Sequence, residues 1–310
     1  MTEPLDDQAR ALLDVVAADP PPPPGSVSVE EFRRAAHDAL AVSGERPEME
    51  SVEEEPVPGA EGELAARRYR APGERHGLLV YFHGGGFVRG DLDTHDPLCR
   101  RLARDAGCEV LAVDYRLAPE HPHPAGANDA LAVTAWAEQG ATGPVAVGGD
   151  SSGGNLAAVA TLRARDGGGP AIAAQLLLYP VTDATMSSPS LDELAEGRML
   201  TRGALEWMYD QYLPPSRDRA DPSASPLLAE SLAGLPPAVI VTAGNDPLRD
   251  DGARYAERLE AAGVAVRHLS YPGTIHSFML YAGALEIGLA ACQAAGSALS
   301  DALRTARNPA

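Results

Sequence analysis

The stretch Gly149-Asp150-Ser151-Ser152-Gly153 has the form G-x-S-x-G and decides how the rest of the chain is interpreted. An apolar run at 144–148 precedes it, and a helix-like segment at 155–160 follows it. Strand, sharp turn and helix, in that order, are the context in which this motif exposes a nucleophilic serine. Side chains at the two glycines would collide with neighbouring backbone in so tight a turn, and the following helix points amide N–H groups at the serine. We therefore predict that Ser151 is a nucleophile at the end of a strand.

A second glycine-rich element, His83-Gly84-Gly85-Gly86, directly follows the apolar run at 77–82. Successive glycines let backbone amides approach a ligand without obstruction by side chains. Two N–H donors held there, with the amide of Ser152 as a third, suit the negatively charged oxygen of a tetrahedral intermediate. The pattern predicts an oxyanion hole, and the alternative is a flexible turn after a strand.

Acyl transfer by serine needs a base and an acid that orients the base. Where a serine lies on such a strand–turn–helix motif, called a nucleophile elbow, the three residues follow one another along the chain in the order Ser, Asp, His. Of the two histidines downstream of the elbow, His268 falls inside an apparent strand. His276 lies in a Pro/Gly loop just past that strand, where parallel sheets bind their ligands. Asp246 also follows an apolar run, whereas Asp250 and Asp251 are expected to be solvated acids in the first turn of a helix. We predict His276 as the base and Asp246 as its partner.

Short apolar runs separated by helix-length segments recur from about residue 63 onward. Strands that are apolar on both faces and alternate with helices indicate a parallel sheet covered on both sides. The predicted strands lie at 78–82, 110–113, 145–147, 175–179, 238–243 and 264–269. Nearly sixty residues between Tyr179 and Ala238 contain a predicted helix at 201–212 but no clear core strand. So long an interval indicates an insertion with its own task, such as a lid.

The N-terminal part is predicted to be helical and then irregular. Apolar residues that share one helix face predict a first helix, at Leu5, Ala9, Leu12, Leu13 and Val16. The five prolines at 20–24 end that helix. Ser28 and Glu31 have the spacing of a capping box at the start of a second helix. The acidic stretch at 48–62 contains Pro and Gly and is predicted to be a loop or linker.

Composition excludes several chemistries. The 310 residues carry 44 Asp plus Glu and 25 Lys plus Arg, a net charge of −19, and all 25 basic residues are Arg. A chain without lysine has no Schiff-base or phosphate-loop lysine, and its acidic excess argues against binding nucleic acid or an anionic membrane surface. No run approaches the roughly 20 apolar residues of a membrane span, no secretory signal is apparent, and the three Cys lack C-x-x-C spacing. A soluble cytoplasmic protein is the expectation.

In combination, these motifs resemble the hormone-sensitive-lipase-like family of α/β-hydrolase esterases over roughly residues 75–280. The family's HGGGF loop, DYRLAPE segment, GDSAGG elbow and DPLRD segment match residues 83–87, 114–120, 149–154 and 246–250. The residue roles implied by the resemblance are nucleophile Ser151, base His276, orienting acid Asp246, oxyanion amides of Gly85, Gly86 and Ser152, and loop-supporting His83 and Gly84. Ser152 replaces the usual Ala of the elbow, and Ser277 replaces the usual Gly after the histidine. Neither replacement removes a group that the reaction uses.

The implied fold is the α/β-hydrolase fold, a mostly parallel central sheet flanked by helices, with a helical cap. The resemblance assigns residues 1–45 and 183–232 to the cap and residues 46–182 and 233–310 to the core. The cap would then roof the pocket. Predicted pocket residues are Phe87, Leu200, Trp207, Met208 and Tyr212, although the cap residues among them suit the cap's own packing face equally well.

The implied activity is hydrolysis of short- to medium-chain acyl esters through an acyl-enzyme, without a cofactor. A small-molecule ester is the expected partner, and a homo-oligomer is left open. No metal site is predicted, because His121 and His123 lack an evident third ligand. Two alternatives remain: amidase or lactonase activity on the same triad, and a non-catalytic ligand-binding receptor, which the intact triad disfavours.

Overall fold

Eight strands form one sheet in the computed structural model, which describes residues 4–215 and 217–307. The strands are β1 Ser51–Gly59, β2 Gly62–Arg70, β3 Leu78–Phe82, β4 Glu109–Val113, β5 Val145–Asp150, β6 Ala174–Leu178, β7 Ala238–Asn245 and β8 Val266–Ile275. Their spatial order is β1-β2-β4-β3-β5-β6-β7-β8. β2 runs antiparallel to β1 and β4, and every other pair is parallel. All six apolar strands predicted from the sequence are confirmed, although β8 begins at Val266 and extends to Ile275.

Helices cover both faces of the sheet, as the two-sided apolar strands predict. They are α1 Asp7–Ala18, α2 Val29–Arg34, α3 Asp96–Ala106, α4 Ala125–Gly140, α5 Ser152–Gly167, α6 Ser190–Glu193, α7 Arg202–Tyr212, α8 Arg249–Ala261 and α9 Glu286–Arg307. Side chains of α3 and α9 form one apolar core with one face of the sheet. Side chains of α4, α5 and α8 form a second core with the other face. The predicted α/β-hydrolase arrangement of a mostly parallel sheet between helices is therefore confirmed.

The N-terminal helices follow their sequence signals. Asp6 caps α1, which ends at Ala18 before the proline run. The Glu31 amide donates to Ser28 Oγ and the Glu31 carboxylate accepts from the Ser28 amide, so the predicted capping box at α2 is confirmed. Beyond Arg34 the chain tightens into a 3₁₀ helix, Ala35–Val42.

The loop predicted at 48–62 is wrong, because most of it is the edge strand β1. An edge strand faces solvent, so its acidic residues need no apolar alternation, and its prolines are tolerated there. Arginines of β2 pair across the strands with these acids, at Arg67–Glu54 2.7 Å, Arg68–Glu55 2.6 Å and Arg70–Glu53 2.9 Å. Charge pairing across the two strands takes the place of the apolar signal on which strand prediction depends.

The long interval between β6 and β7 contains the helix predicted at 201–212, here α7, with Thr201 as its N-cap. The apolar face of α7 packs toward the core through Leu205, Met208, Tyr209 and Tyr212. In the ranges 4–215 and 217–307, no helix has the length and apolar character needed to cross a bilayer.

Candidate active site

Ser151 lies at the turn that joins β5 to α5. Its backbone has φ of +53° and ψ of −118°, a conformation that a residue with a side chain seldom adopts. Gly149 and Gly153 flank it, and a Cβ at either position would collide with the carbonyl oxygen of Phe82 on β3. The two glycines therefore allow the strained turn to pack against the neighbouring strand, as the sequence predicts.

The ends of three strands bring Ser151, His276 and Asp246 together. His276 follows β8 directly, and its Nε2 lies 3.1 Å from Ser151 Oγ. Its Nδ1 lies 2.7 Å from Oδ2 of Asp246, which follows β7. Asp246 is fully buried, and its Oδ1 accepts the amide of Leu248 at 2.8 Å. The hydrogen-bonded order hydroxyl, imidazole, carboxylate is the arrangement that activates a serine as a nucleophile.

The glycine loop after β3 approaches the elbow with its backbone. The Gly84 amide is occupied, since it donates to Oδ1 of Asp150 at 2.9 Å. The amides of Gly85, Gly86 and Ser152 donate to no acceptor among the described residues, so they are available to a negatively charged oxygen. The Ser152 side chain is fully buried, and its hydroxyl has no partner in the same described ranges.

A buried polar network supports the elbow and the glycine loop, and sequence reasoning missed it. Asp150, the residue before Ser151, accepts the Tyr81 hydroxyl at 2.7 Å, and its carboxylate lies 3.2 Å from Nε2 of His95. Burial by itself would raise the pKa of Asp150, but His95, Tyr81 and the Gly84 amide hold that pKa below its usual range. The sequence places Asp150 in the elbow motif, but it contains no signal that brings Tyr81 and His95 to it.

His83 fixes the start of the glycine loop. Its Nδ1 lies 2.8 Å from the Gly84 carbonyl, and its ring stacks on Tyr115 with centroids 4.5 Å apart. The Tyr115 hydroxyl donates to the His83 carbonyl at 2.8 Å. Burial, together with the neighbouring His95, lowers the pKa of His83 to about 4. His83 is therefore neutral at pH 7, which suits a structural support and not a proton carrier.

A cavity of about 630 Å³ opens onto Ser151 and His276. Of the five predicted pocket residues, Phe87, Leu200 and Met208 line it. The other two do not, because their rings are used in packing. Trp207 lies edge-on to Phe32 at 5.1 Å, and Tyr212 stacks on Phe87 at 3.7 Å. Lining residues that sequence reasoning missed come from the N-terminal segment and from α7 and the loop after β8, chiefly Leu12, Val16, Leu205, Tyr209 and Leu280.

Three further candidates from the sequence lie away from this cavity. His268 is on β8, where its Nε2 lies 2.9 Å from Thr242 Oγ1. His123 Nε2 lies 3.1 Å from the carbonyl oxygen of Ser223. The prediction that Asp251 is solvated is wrong, because residues 182–188 cover it and leave it fully buried.

Several known proteins that are similar to this chain are named as ester hydrolases. The family model described as alpha/beta hydrolase fold matches residues 79–280. The carboxylic ester hydrolase LipN of Mycobacterium tuberculosis is 52% identical over an alignment 237 residues long, which covers 72% of this chain and 63% of LipN. The ethyl acetate hydrolase of Pseudomonas putida is 39% identical over 84% of this chain and 86% of its own length. The solved structure of ester-hydrolase EH1AB1, from the metagenome of Lake Arreo, superposes with a TM-score of 0.91 at 39% identity, covering 96% of this chain and 98% of that one.

Proposed function

The chain belongs to the hormone-sensitive-lipase-like carboxylesterases of the α/β-hydrolase superfamily, and we propose that it hydrolyses short- to medium-chain acyl esters through Ser151, His276 and Asp246. The observation that carries the proposal is the pair of hydrogen bonds through His276, 3.1 Å to Ser151 and 2.7 Å to Asp246. These bonds join a nucleophile, a base and an orienting acid in the order that ester hydrolysis by serine requires.

In the first half of the reaction, Ser151 Oγ attacks the ester carbonyl carbon while His276 Nε2 takes the hydroxyl proton. Asp246 holds the His276 tautomer and stabilises the imidazolium without taking the proton itself. The carbonyl oxygen becomes an oxyanion that accepts hydrogen bonds from the amides of Gly85, Gly86 and Ser152. His276 then gives its proton to the leaving alkoxide, so an alcohol departs and the acyl group remains on Ser151.

In the second half, water takes the place of the alcohol. His276 removes a proton from the water as its oxygen attacks the acyl-enzyme carbonyl, and the same amides hold the second oxyanion. The bond to Ser151 breaks, and the proton returns to Oγ. A carboxylic acid leaves, and the enzyme is regenerated.

The size of the cavity supports small esters. Its volume of about 630 Å³ lies within the roughly 300–1,000 Å³ typical of pockets for small-molecule ligands. The ethyl acetate hydrolase is named for a small ester. We assign Phe87, Leu200 and Met208 to the substrate pocket, with Met208 reaching over Gly86 from α7.

The proposed cap consists of residues 1–45 and 183–232, and the proposed core of residues 46–182 and 233–310. Residues 1–3, 216 and 308–310 of these units lie outside the described residues. Both cap segments contribute to the cavity wall, Leu12 and Val16 from the first and Leu200 and Leu205 from the second. That shared wall supports the grouping of two segments that are distant in sequence.

The experiment is a chain-length series of p-nitrophenyl esters from acetate to laurate, run with the wild-type protein and Ser151→Ala. We expect turnover to peak at the short to middle lengths and to fall by about 10⁴-fold or more in Ser151→Ala. Ser152→Ala keeps the backbone amide beside the nucleophile, so it should lose far less. Ester turnover that survives in a folded Ser151→Ala protein would refute the assignment. An amide and a lactone in the same series would show whether the leaving group is restricted to alcohols.

A further inference from the structure

Arg89 lines the catalytic cavity, and its guanidinium has no polar partner among the described residues. Among the arginines in the described ranges, the side chains of Arg89, Arg217 and Arg267 make no hydrogen bond or ion pair with another described residue. Arg217 and Arg267 are exposed, whereas Arg89 is partly buried and lines the cavity that contains Ser151. Because the Arg89 side chain is partly buried and no described acid pairs with it, its charged group is open to a ligand that enters the cavity.

The loop geometry places Arg89 next to the proposed oxyanion hole. Its amide donates to the Gly85 carbonyl at 3.1 Å, and its Cγ lies 3.1 Å from the position that a Cβ of Gly85 would take. The guanidinium carbon lies 4.3 Å from the centroid of the Phe32 ring. The Phe32 ring carries no oxygen or nitrogen acceptor, so this contact gives the N–H donors of Arg89 no hydrogen-bond partner.

The acids of the same cavity do not neutralise Arg89. Asp19 and Asp38 line the cavity but are exposed, and neither forms an ion pair with Arg89. Asp150 is bonded to Tyr81 and the Gly84 amide. Burial lowers the pKa of Arg89, with a smaller opposing effect from the Tyr281 hydroxyl. The guanidinium nevertheless stays protonated, because arginine does not lose its proton in proteins.

We propose that Arg89 binds a carboxylate of the substrate, so that the preferred substrates are esters carrying one free carboxylate group. This inference rests on the proposed ester hydrolysis at Ser151. A carboxylate matches the planar fork of a guanidinium with two parallel hydrogen bonds. One such group satisfies the unpartnered donors of Arg89 while the ester reaches Ser151 in the same cavity.

The test compares charged and neutral esters of equal length. Monoethyl glutarate against ethyl pentanoate places the carboxylate on the acyl side, and 4-acetoxybutanoate against butyl acetate places it on the alcohol side. In Arg89→Met, the charged-to-neutral ratio of kcat/KM should fall by about tenfold or more in one of these pairs, chiefly through KM, because the charge-assisted hydrogen bonds to the carboxylate are lost. Arg89→Lys should retain part of the ratio. Arg267→Met, which removes an exposed arginine, should leave the ratio unchanged.

Binding of glutarate gives a readout that does not depend on turnover. Calorimetry on Ser151→Ala should detect glutarate, and adding Arg89→Met should weaken that binding by about tenfold or more. If Arg89→Met does not fold by circular dichroism, Arg89→Gln replaces it. Unchanged ratios together with unchanged glutarate binding would overturn the inference while leaving ester hydrolysis in place. A wild-type protein that binds glutarate through Arg89 but cleaves no ester would instead overturn the proposed function, and with it the preference among esters, while leaving the carboxylate site at Arg89 in place.

Discussion

Ser277, directly after the proposed base His276, has a left-handed backbone with φ of +62°. An L-residue in this region is strained by roughly 1–2 kcal/mol, whereas glycine is not but loses more entropy on folding, by about 0.5–1 kcal/mol. Ser277→Gly should therefore raise the free energy of unfolding by up to about 1 kcal/mol in urea denaturation. Ser277→Ala keeps the strain and should not stabilise the protein. A glycine variant less stable than wild type would show that contacts of the Ser277 side chain outweigh the strain.

At the residue scale, motif order and strand ends suffice to select Ser151, His276 and Asp246, which the structure joins by hydrogen bonds. The same reasoning cannot find Asp251, because its burial depends on residues 182–188, more than sixty positions away in sequence. It also cannot find Arg89, since the absence of a counter-charge is a property of the surrounding space and not of the loop. Burial and pairing of individual side chains are set by tertiary packing.

The stack of Tyr212 on Phe87 links helix α7 to the loop that carries the proposed oxyanion hole. The two rings are nearly parallel, with centroids 3.7 Å apart. Tyr212→Ala should lower the free energy of unfolding by about 3–5 kcal/mol, as expected for a buried aromatic ring. The Tyr212 hydroxyl is buried without a partner among the described residues, so Tyr212→Phe should be neutral or slightly stabilising.

Urea denaturation of both Tyr212 variants measures this difference, and hydrogen exchange tests whether the effect is local. Amides of α7 should exchange faster in Tyr212→Ala than in the wild type. Amides of β5 should remain better protected than those of α7. Equal stability of the Ala and Phe variants would mean that the stack contributes nothing to holding α7.

At the element scale, apolar content determines which strands the sequence reveals. The six apolar strands can be predicted from the sequence because strands buried on both faces of a sheet consist mostly of apolar residues. β1 and β2 are not predicted from the sequence, because acids and arginines, and not apolar residues, pair across them at the sheet edge. The charge pattern was available in the sequence, as three acids at 53–55 and arginines at 67, 68 and 70, but its meaning depends on a register that only the folded sheet provides.

At the scale of the whole molecule, Asp251 ties the interval between β6 and β7 to the core. From α8 its Oδ2 accepts the amides of Thr182 at 2.8 Å and Asp183 at 3.0 Å, and its Oδ1 accepts the hydroxyl of Ser188. The Asp183 carboxylate is also buried beside it, with Arg254 3.9 Å from Asp183 Oδ2. The segment that begins the proposed cap insertion is therefore anchored by one buried carboxyl group.

Burial of this anchor predicts how the stability of the protein depends on pH. Burial and the neighbouring Asp183 raise the pKa of Asp251 to about 7, although the hydrogen bonds to its carboxylate act in the opposite direction. The pKa of an Asp in an unfolded chain is about 3.9. The folded protein therefore binds this proton more tightly, and stability contributed by Asp251 is lost as pH rises from 4 to 7.

Asp251→Asn mimics the protonated group, so its free energy of unfolding relative to wild type should increase by up to about 4 kcal/mol over that range. Urea denaturation at each pH measures the difference, with Asp14→Asn on the exposed face of α1 as the control for losing one carboxylate. A flat difference for Asp251→Asn would mean that the pKa of Asp251 is the same in the folded and unfolded protein, because the amides of Thr182 and Asp183 offset the effect of burial.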